Sequence, residues 1–143
     1  MVFVFAYAFI MMCPYCNSDS QVTNSRPSAK HPEVWRRRAC KVCGNIWTTR
    51  ELVDLSTTHR VRTTQNRLEP FQRDKLFLSI KDSCAHRKTA LMDATYLTDT
   101  VLTQVLQQNQ SEIPRGQIIK IAALVLERFD ATAGAVYVAR HSA

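Results

Sequence analysis

Two Cys-x-x-Cys pairs constrain this chain more than any other feature of its sequence. The first pair is Cys13 and Cys16, the second is Cys40 and Cys43, and 23 residues separate the two pairs. This spacing is close to that of a four-cysteine zinc site, in which each pair offers two thiolates on one side of a tetrahedral metal. Four protein thiolates leave no open coordination position, so the sequence predicts a structural and not a catalytic zinc ion.

A disulfide pair and a thioredoxin-like redox site are the competing interpretations of these cysteines. One Cys-x-x-Cys pair alone would leave both open, whereas two pairs at this separation favour zinc. The chain has five cysteines, and an odd number fits a disulfide framework poorly. No secretion signal is evident, so we expect a reducing, cytoplasmic location. The fifth cysteine, Cys84, is expected to be an ordinary core residue of a helix.

Residues 12–51 are rich in Cys, Ser, Asn and Arg and show little helical periodicity. The segments QVTNSRP and NIWTTREL have strand character, and PSAKHPE between them has the composition of an exposed loop. A segment of this length and polarity buries too little apolar surface to fold unaided. Structural zinc, which contributes on the order of 10–16 kcal/mol at neutral pH, would be sufficient to fold it. We therefore predict a small domain of short antiparallel strands over residues 12–51.

Residues 52–143 have a different pattern, which predicts a second, mainly helical domain. The segment ELVDLSTTHRVRTTQNRLEPF is typical of two strands joined near Gln65 and Asn66, and helical periodicity follows it. The predicted fold class is therefore α+β, with a strand-rich N-terminal domain and a helical domain that opens with a β-hairpin.

Four helices are predicted from the spacing of the apolar residues. The first begins near Gln72, the second covers about residues 89–108, the third has Pro114 at its first position, and the last covers about residues 133–140. A break at residues 130–132 separates the last two. The residues predicted to face the core are Leu76, Phe77, Ile80, Cys84, Leu91, Leu97, Val101, Leu102, Val105, Ile118, Ile119, Ala122, Leu126 and Phe129.

The N-terminal segment MVFVFAYAFIMM is apolar throughout. Twelve residues are too few to span a bilayer, which needs about 20. The segment also lacks the basic region and the small-residue cleavage site of a signal peptide. We therefore expect residues 1–11 to be an extension or an extra strand, and we predict no membrane partner.

Positive charge is concentrated beside the second cysteine pair. The formal net charge is +7, and between residues 26 and 50 seven Lys or Arg residues face one acid, Glu33. Such a density next to Trp35 and Trp47 is typical of a nucleic-acid-binding surface. The alternatives are a solvated charged face, which is the commoner role of such a run, and arginines that partly screen the charge of a tetrathiolate zinc.

The motifs together resemble the NrdR family of bacterial transcriptional repressors of ribonucleotide reductase genes. The segments CPYC, VTNSRP, RRRACKVCGNIWTT and EPFQRDKL occur in the family's order and at nearly its spacing. The resemblance runs from Met11 to the C-terminus, which makes Met11 a candidate translation start. It leaves the first ten residues without a counterpart.

The resemblance implies a zinc ribbon joined to an ATP-cone, a small helical nucleotide-binding domain. The ribbon would bind repeated double-stranded operator boxes near ribonucleotide reductase genes, in the nucleoid of a bacterial cytoplasm. The cone would bind ATP and dATP and change the state of a homo-oligomer and its DNA affinity. The DNA-contacting residues that it implies are Arg36, Arg37 and Arg38, with Arg26 and Arg50 nearby.

For the nucleotide, the resemblance implies contacts from Glu69, Lys75 and Tyr137, with Lys75 at the phosphates. The segment VRTTQN departs from the family pattern, because Thr63 stands where a lysine is usual and Asn66 where a glycine is usual. Asn24 likewise replaces a usual aspartate. Asparagine still supports a tight turn, since it tolerates positive φ.

Because Thr63 stands at the position of the family's lysine, another residue of the first hairpin strand would have to supply that positive charge. Arg60 and Arg62, on either side of Val61, are the candidates, although neighbouring strand residues point to opposite sides. The predicted nucleotide site thus comprises Arg60, Val61, Arg62, Glu69, Lys75 and Tyr137.

Two other classes of function are weighed against the repressor. An enzyme is disfavoured because the sequence has no Gly-x-x-x-x-Gly-Lys loop and no Cys/His or paired-carboxylate constellation around its four histidines. A zinc-ribbon adaptor that binds nucleic acid or protein without nucleotide switching is the alternative that remains.

Overall fold

The computed structural model describes residues 11–29 and 31–142. The chain divides into two compact units, one ending at Val53 and the other beginning at Asp54. Its elements in chain order are β1 (Ser20–Pro27), β2 (Glu33–Cys40), β3 (Ile46–Leu52), α1 (Leu55–Thr58), β4 (Arg60–Arg62), β5 (Leu68–Pro70), α2 (Arg73–Ser83), α3 (Ala90–Leu106), β6 (Glu112–Pro114), α4 (Arg115–Phe129) and α5 (Ala131–His141). The predicted α+β class is confirmed, because antiparallel strands come first and a mainly helical region follows.

The N-terminal extension predicted over residues 1–11 lies outside the described residues, apart from Met11. Across the described ranges, no helix has both the length and the apolar composition needed to cross a membrane.

The first unit is a three-stranded antiparallel sheet with β2 in the middle. The register of β1 against β2 shifts between Val22 and Asn24, which is the signature of a β-bulge. In the described part of this unit, the buried apolar side chains are those of Cys13 and Cys40. The sheet therefore has almost no hydrophobic core, and the cysteine cluster occupies the place of one.

In the second unit the predicted hairpin follows α1, and its strands β4 and β5 pair antiparallel. Asn66 has φ of 59°, and its amide donates to the carbonyl of Thr63 at 3.0 Å. The expectation that asparagine supports this turn at positive φ is therefore confirmed. A third strand, β6, pairs parallel with β4 on its other side. Three residues give too short a pattern for sequence periodicity to reveal that strand.

Helices α2 to α5 enclose the hydrophobic core of the second unit. Its buried members include most of the residues predicted to face inward, and Cys84 is among them, fully buried. The full set is Phe71, Leu76, Ile80, Cys84, Ala94, Leu97, Val101, Leu102, Val105, Ile113, Ile118, Ala122, Val125, Leu126, Ala133 and Tyr137. At Gly134, α5 lies so near α4 that an added Cβ would stand 2.8 Å from the Cα of Glu127.

The break between α4 and α5 falls at Asp130, within the predicted interval. Asp130 has extended φ and ψ, and its carboxylate accepts hydrogen bonds from the amides of Thr132 and Ala133. It is therefore the N-cap of α5. Hydrogen bonds from His86 and from the Ala133 amide hold the pKa of this carboxyl well below its usual range.

Several details of the helix prediction are wrong. Leu91 is 64% exposed and Phe129 is 42% exposed, although both fit the apolar spacing. They lie in the first turn of α3 and at the last residue of α4, where a helix face can extend beyond the packed core. The Arg87 guanidinium covers the ring of Phe129, 4.6 Å from its centroid. Pro114 is the N-cap of α4 and not its first helical residue, because it also ends β6.

The segment before the hairpin also differs from expectation. Residues Leu55–Thr58 form one helical turn where strand character was predicted. Asp54 causes the difference, since its carboxylate accepts from the amide of Ser56 and caps the turn.

Candidate metal centre, nucleic-acid interface and ligand pocket

The four predicted ligand cysteines form one cluster. Their sulfur atoms all lie within 4.8 Å of one another. The Sγ atoms of Cys13 and Cys43 are 3.6 Å apart, and those of Cys16 and Cys40 are 3.4 Å apart. A tetrahedron with zinc–sulfur bonds of about 2.3 Å has edges of about 3.8 Å, so the cluster fits a zinc ion with little adjustment.

The backbone around each cysteine pair is arranged to favour thiolates. The amide of Tyr15 points to the Cys13 sulfur at 3.4 Å, and the amides of Val42 and Cys43 point to the Cys40 sulfur at 3.3 Å. The residues after each pair, Asn17 and Gly44, have positive φ of 59° and 72°. These turns bring the two sulfur atoms of each pair to the same side, as a metal requires.

The thiols of the cluster differ in their pKa values. Hydrogen bonds from the side chain and then the amide of Ser18 lower the pKa of Cys16 to about 6. The amide of Cys43 lowers the pKa of Cys40. The pKa of Cys43 is raised to about 11, because burial and the neighbouring sulfurs together outweigh the largest single influence, a lowering hydrogen bond from the Asn45 backbone. Four thiolates so close together are stable only around a positive ion, and zinc deprotonates its thiol ligands.

Strand β2 separates the three consecutive arginines onto two faces of the sheet. Successive strand residues point to opposite sides, so Arg36 and Arg38 share the face of Cys40 while Arg37 lies on the other. The side chain of Arg36 is bound to Glu51 at 2.7 Å. Arg38 is only 8% exposed, and its guanidinium donates to the Ser20 hydroxyl at 3.4 Å. Arg37 is exposed.

Cross-strand pairing brings two further predicted arginines to the face of Arg37. Arg26 and Arg50 stand opposite Trp35 on its two sides, and Trp35 lies two residues from Arg37 along the same strand. Residues paired in this way point to the same side of a sheet. We call Arg26, Arg37 and Arg50 the arginine face; all three side chains are exposed. Arg50 also binds Glu33, at 3.2 Å.

The second unit contains a cavity of about 370 Å³ formed by the hairpin, α2, α4 and α5. This volume is within the range of about 300–1,000 Å³ that is typical of small-molecule sites. Its lining residues are Val61, Thr63, Glu69, Pro70, Phe71, Gln72, Lys75, Leu76, Ser79, Arg115, Ile118, Ile119, Tyr137 and His141. Seven of these side chains are apolar or aromatic and seven are charged or polar.

Four of the six residues predicted to contact nucleotide line this cavity, namely Val61, Glu69, Lys75 and Tyr137. Lys75 and Glu69 form an exposed ion pair, with Nζ and Oε2 3.6 Å apart. Burial raises the pKa of Tyr137.

The two arginines proposed to replace the missing lysine lie elsewhere. Arg60 and Arg62 do not line the cavity, and the guanidinium of Arg62 binds Glu112 and the Asn66 side chain instead.

Sequence reasoning missed Arg115 and His141, both of which line the cavity. His141 stacks on Tyr137 with ring centroids 4.2 Å apart, and its Nε2 lies 3.1 Å from the Ser79 hydroxyl. Its position four residues after Tyr137 on one helix was a signal that could have found it. No local pattern marks Arg115, since its place at the cavity depends on how α4 packs.

Comparison with known proteins places this arrangement in a family. Residues 11–51 match the family model described as the N-terminal domain of transcriptional repressor NrdR-like proteins, a zinc ribbon. That match and the four clustered cysteines support Zn²⁺ as the resident metal.

Proteins named transcriptional repressor NrdR match most of the chain. The protein from Citrifermentans bemidjiense is 36% identical over 105 residues, covering 73% of this chain and 69% of that protein. The protein from Ruegeria sp. strain TM1040 is 35% identical over 124 residues, covering 86% and 79%. The protein from Symbiobacterium thermophilum is 32% identical over 128 residues, covering 90% and 83%. The chain therefore belongs to the NrdR family of transcriptional repressors.

Proposed function

We propose that this protein is a nucleotide-responsive repressor that binds repeated operator boxes upstream of ribonucleotide reductase genes. In this proposal residues 12–51 are the DNA-binding domain and residues 52–143 bind ATP and dATP, which control the assembly of a homo-oligomer. It acts on the nucleoid in a bacterial cytoplasm and catalyses no reaction. The observation that carries the proposal is that one chain of a repressor family has both an exposed arginine face and a cavity with two cationic side chains.

The arginine face suits a DNA backbone because its charges are exposed and rigidly supported. The metal site fixes the end of β2 at Cys40, and the cross-strand pairs hold Arg26, Arg37 and Arg50 on one surface. Phosphate contacts of this kind provide affinity and orientation, whereas contacts to base edges provide specificity. Arg36 and Arg38 would need to leave Glu51 and the Ser20 hydroxyl to reach DNA, so we assign them mainly to supporting the sheet.

The cavity suits a nucleoside triphosphate because apolar walls and positive charges meet in it. Val61, Phe71 and Ile118 offer an apolar surface to a base, and Lys75 offers a charge to phosphates. Glu69 lies beside Lys75 and would orient the lysine or accept from a ribose hydroxyl.

Assembly explains why the two sites occur in one chain. One small sheet covers only a short half-site, so useful specificity requires several subunits on repeated boxes, whose linkage raises the effective concentration. A nucleotide shifts such an assembly only as far as its affinities for the alternative states differ.

The DNA proposal is tested by comparing Arg37→Ala with Arg36→Ala, a matched change at the neighbouring position. Binding to a ribonucleotide reductase promoter duplex and to a random duplex is measured from low to high salt. Each phosphate neutralised contributes about −0.9 to the log–log salt slope. We expect Arg37→Ala to flatten the slope by about one unit per bound subunit. Arg36→Ala should change it less, because that side chain is already neutralised by Glu51.

The Arg37→Ala variant should behave differently in these DNA-binding measurements if Arg37 contacts a base edge and not a phosphate. A bidentate contact to guanine would cost about 1–3 kcal/mol and relax specificity at one position while the slope changes little. Equal promoter and random binding by the parent protein would favour the zinc-ribbon adaptor. Unchanged promoter affinity in the Arg26, Arg37 and Arg50 triple alanine variant would exclude the arginine face as the DNA surface.

A further inference from the structure

Among the described residues that line the cavity of the second unit, one permanently charged cation, Arg115, has no carboxylate partner. Lys75 is paired with Glu69, the acidic residue of the lining. Arg115 lines the same cavity and forms no ion pair with any carboxylate in the part of the chain that the structure describes. The net charge of the cavity therefore depends on Arg115.

The hairpin supplies no positive charge to the cavity. Its lining residues in the segment from β4 to β5 are Val61, Thr63, Glu69 and Pro70. Arg62 is occupied by Glu112 and Asn66, and Arg60 lies outside the lining. A polyanion bound here would therefore meet cations from α2 and α4 and none from the hairpin.

The positive charge of Arg115 acts on the hydroxyl of Tyr137, another residue of the cavity lining. Burial is the largest influence on the Tyr137 hydroxyl and raises its pKa, while the positive charge of Arg115 acts in the opposite direction. Tyr137 is itself buried, and both residues line the same cavity.

We infer that Arg115 is the principal phosphate-binding residue of this cavity, and that with Lys75 it holds the anionic end of a nucleoside polyphosphate. This inference rests on the proposed nucleotide binding and assigns a residue to it. An arginine suits the role because its planar guanidinium presents several donors in a fixed fork and binds phosphate with two parallel hydrogen bonds. Lys75 must in part leave Glu69 to reach the same phosphates, whereas Arg115 has no competing carboxylate among the residues that the structure describes.

The binding geometry has a consequence for selectivity among ligands. If Arg115 contacts phosphate and not the base, its removal should weaken the binding of triphosphates and leave the binding of the nucleoside unchanged. The test measures binding of ATP, adenosine and inorganic tripolyphosphate to the full zinc-loaded chain by calorimetry. Variants are Arg115→Gln, Arg115→Lys and the control Lys120→Gln, which removes one exposed positive charge from the same helix outside the cavity lining.

We expect Arg115→Gln to weaken ATP and tripolyphosphate at least about tenfold and to leave adenosine unchanged. Arg115→Lys should fall between it and the parent, because lysine retains the charge and loses the fork. Thermal unfolding checks that each variant is folded. If Arg115→Gln is unfolded, the test uses Arg115→Lys instead: its affinity for ATP relative to adenosine should be lower than that of the parent.

Three outcomes would overturn the inference. Equal ATP affinity in Arg115→Gln and Lys120→Gln would remove Arg115 from the site while leaving the proposed function intact. An equal loss of ATP and adenosine would make its role structural. No nucleotide binding by the folded parent would reject the proposed nucleotide response, and the inference with it.

Discussion

Replacing Cys40 with serine is expected to remove the metal and unfold the first unit while the helical unit stays folded. The buried apolar side chains described in the first unit are two of its cysteines, so little remains to hold the three strands once a ligand is lost. Structural zinc contributes on the order of 10–16 kcal/mol, which exceeds the net stability of most domains of this size. The second unit has its own core of sixteen buried residues and should keep its helical circular dichroism.

The matched control is Cys84→Ala, since Cys84 is buried in the helical core and is absent from the metal cluster. Elemental analysis should find one zinc ion per chain in the parent and in Cys84→Ala, and much less in Cys40→Ser. The control should instead lower the melting temperature of the helical unit. Full zinc content in Cys40→Ser, or strand signals unchanged by nuclear magnetic resonance, would refute the assignment of the four-cysteine site.

Replacing Lys75 with alanine is expected to weaken ATP and dATP binding and to abolish any nucleotide-dependent change of assembly. The substitution removes one of the two Lys and Arg side chains in the cavity lining, the other being Arg115. It also leaves the carboxylate of Glu69 unpaired beside the phosphates. The loss of a charge-assisted contact and the repulsion from the unpaired Glu69 carboxylate both weaken binding. We therefore expect a loss of at least about tenfold in affinity.

The control for that substitution is Lys81→Ala on the same helix. Lys81 pairs with the adjacent Asp82 and does not line the cavity, so its removal changes the net charge equally without touching the site. Calorimetry and light scattering on both variants decide the matter. If Lys75→Ala binds nucleotide as Lys81→Ala does, Lys75 is a solvent-facing helix residue and takes no part in phosphate binding.

Local sequence rules predicted the features that depend on few neighbours. The cysteine spacing predicted a four-sulfur cluster because two tight turns are enough to build it. The turn at Asn66 was predictable because the φ preference of asparagine acts locally. The helix break at residues 130–132 was predictable in the same way, because the capping by aspartate involves only the next few residues. The main hairpin and the four long helices follow from periodicity in the same way.

Features that depend on tertiary packing were not predictable. Arg115 reaches the cavity only because β6 pairs with β4 and directs the start of α4, and this three-residue strand has no sequence signature. Periodicity likewise could not say that Leu91 and Phe129 lie beyond the edge of the packed core. The separation of the three arginines onto two faces of β2, in contrast, could have been predicted from the sequence. Strand alternation places Arg37 opposite Arg36 and Arg38 once the strand is recognised.

We propose that nucleotide binding in the second unit changes the assembly that presents the arginine face to DNA. Light scattering of the zinc-loaded chain without nucleotide, with ATP and with dATP tests it most directly. The two ligands differ by one 2′-hydroxyl, so a difference between them must come from contacts near the ribose or from the number of molecules bound. We expect the molar mass to change with nucleotide and operator affinity to change with it. Identical masses in all three conditions, with nucleotide binding confirmed by calorimetry, would contradict the claim and leave the cavity as a stabilising ligand site.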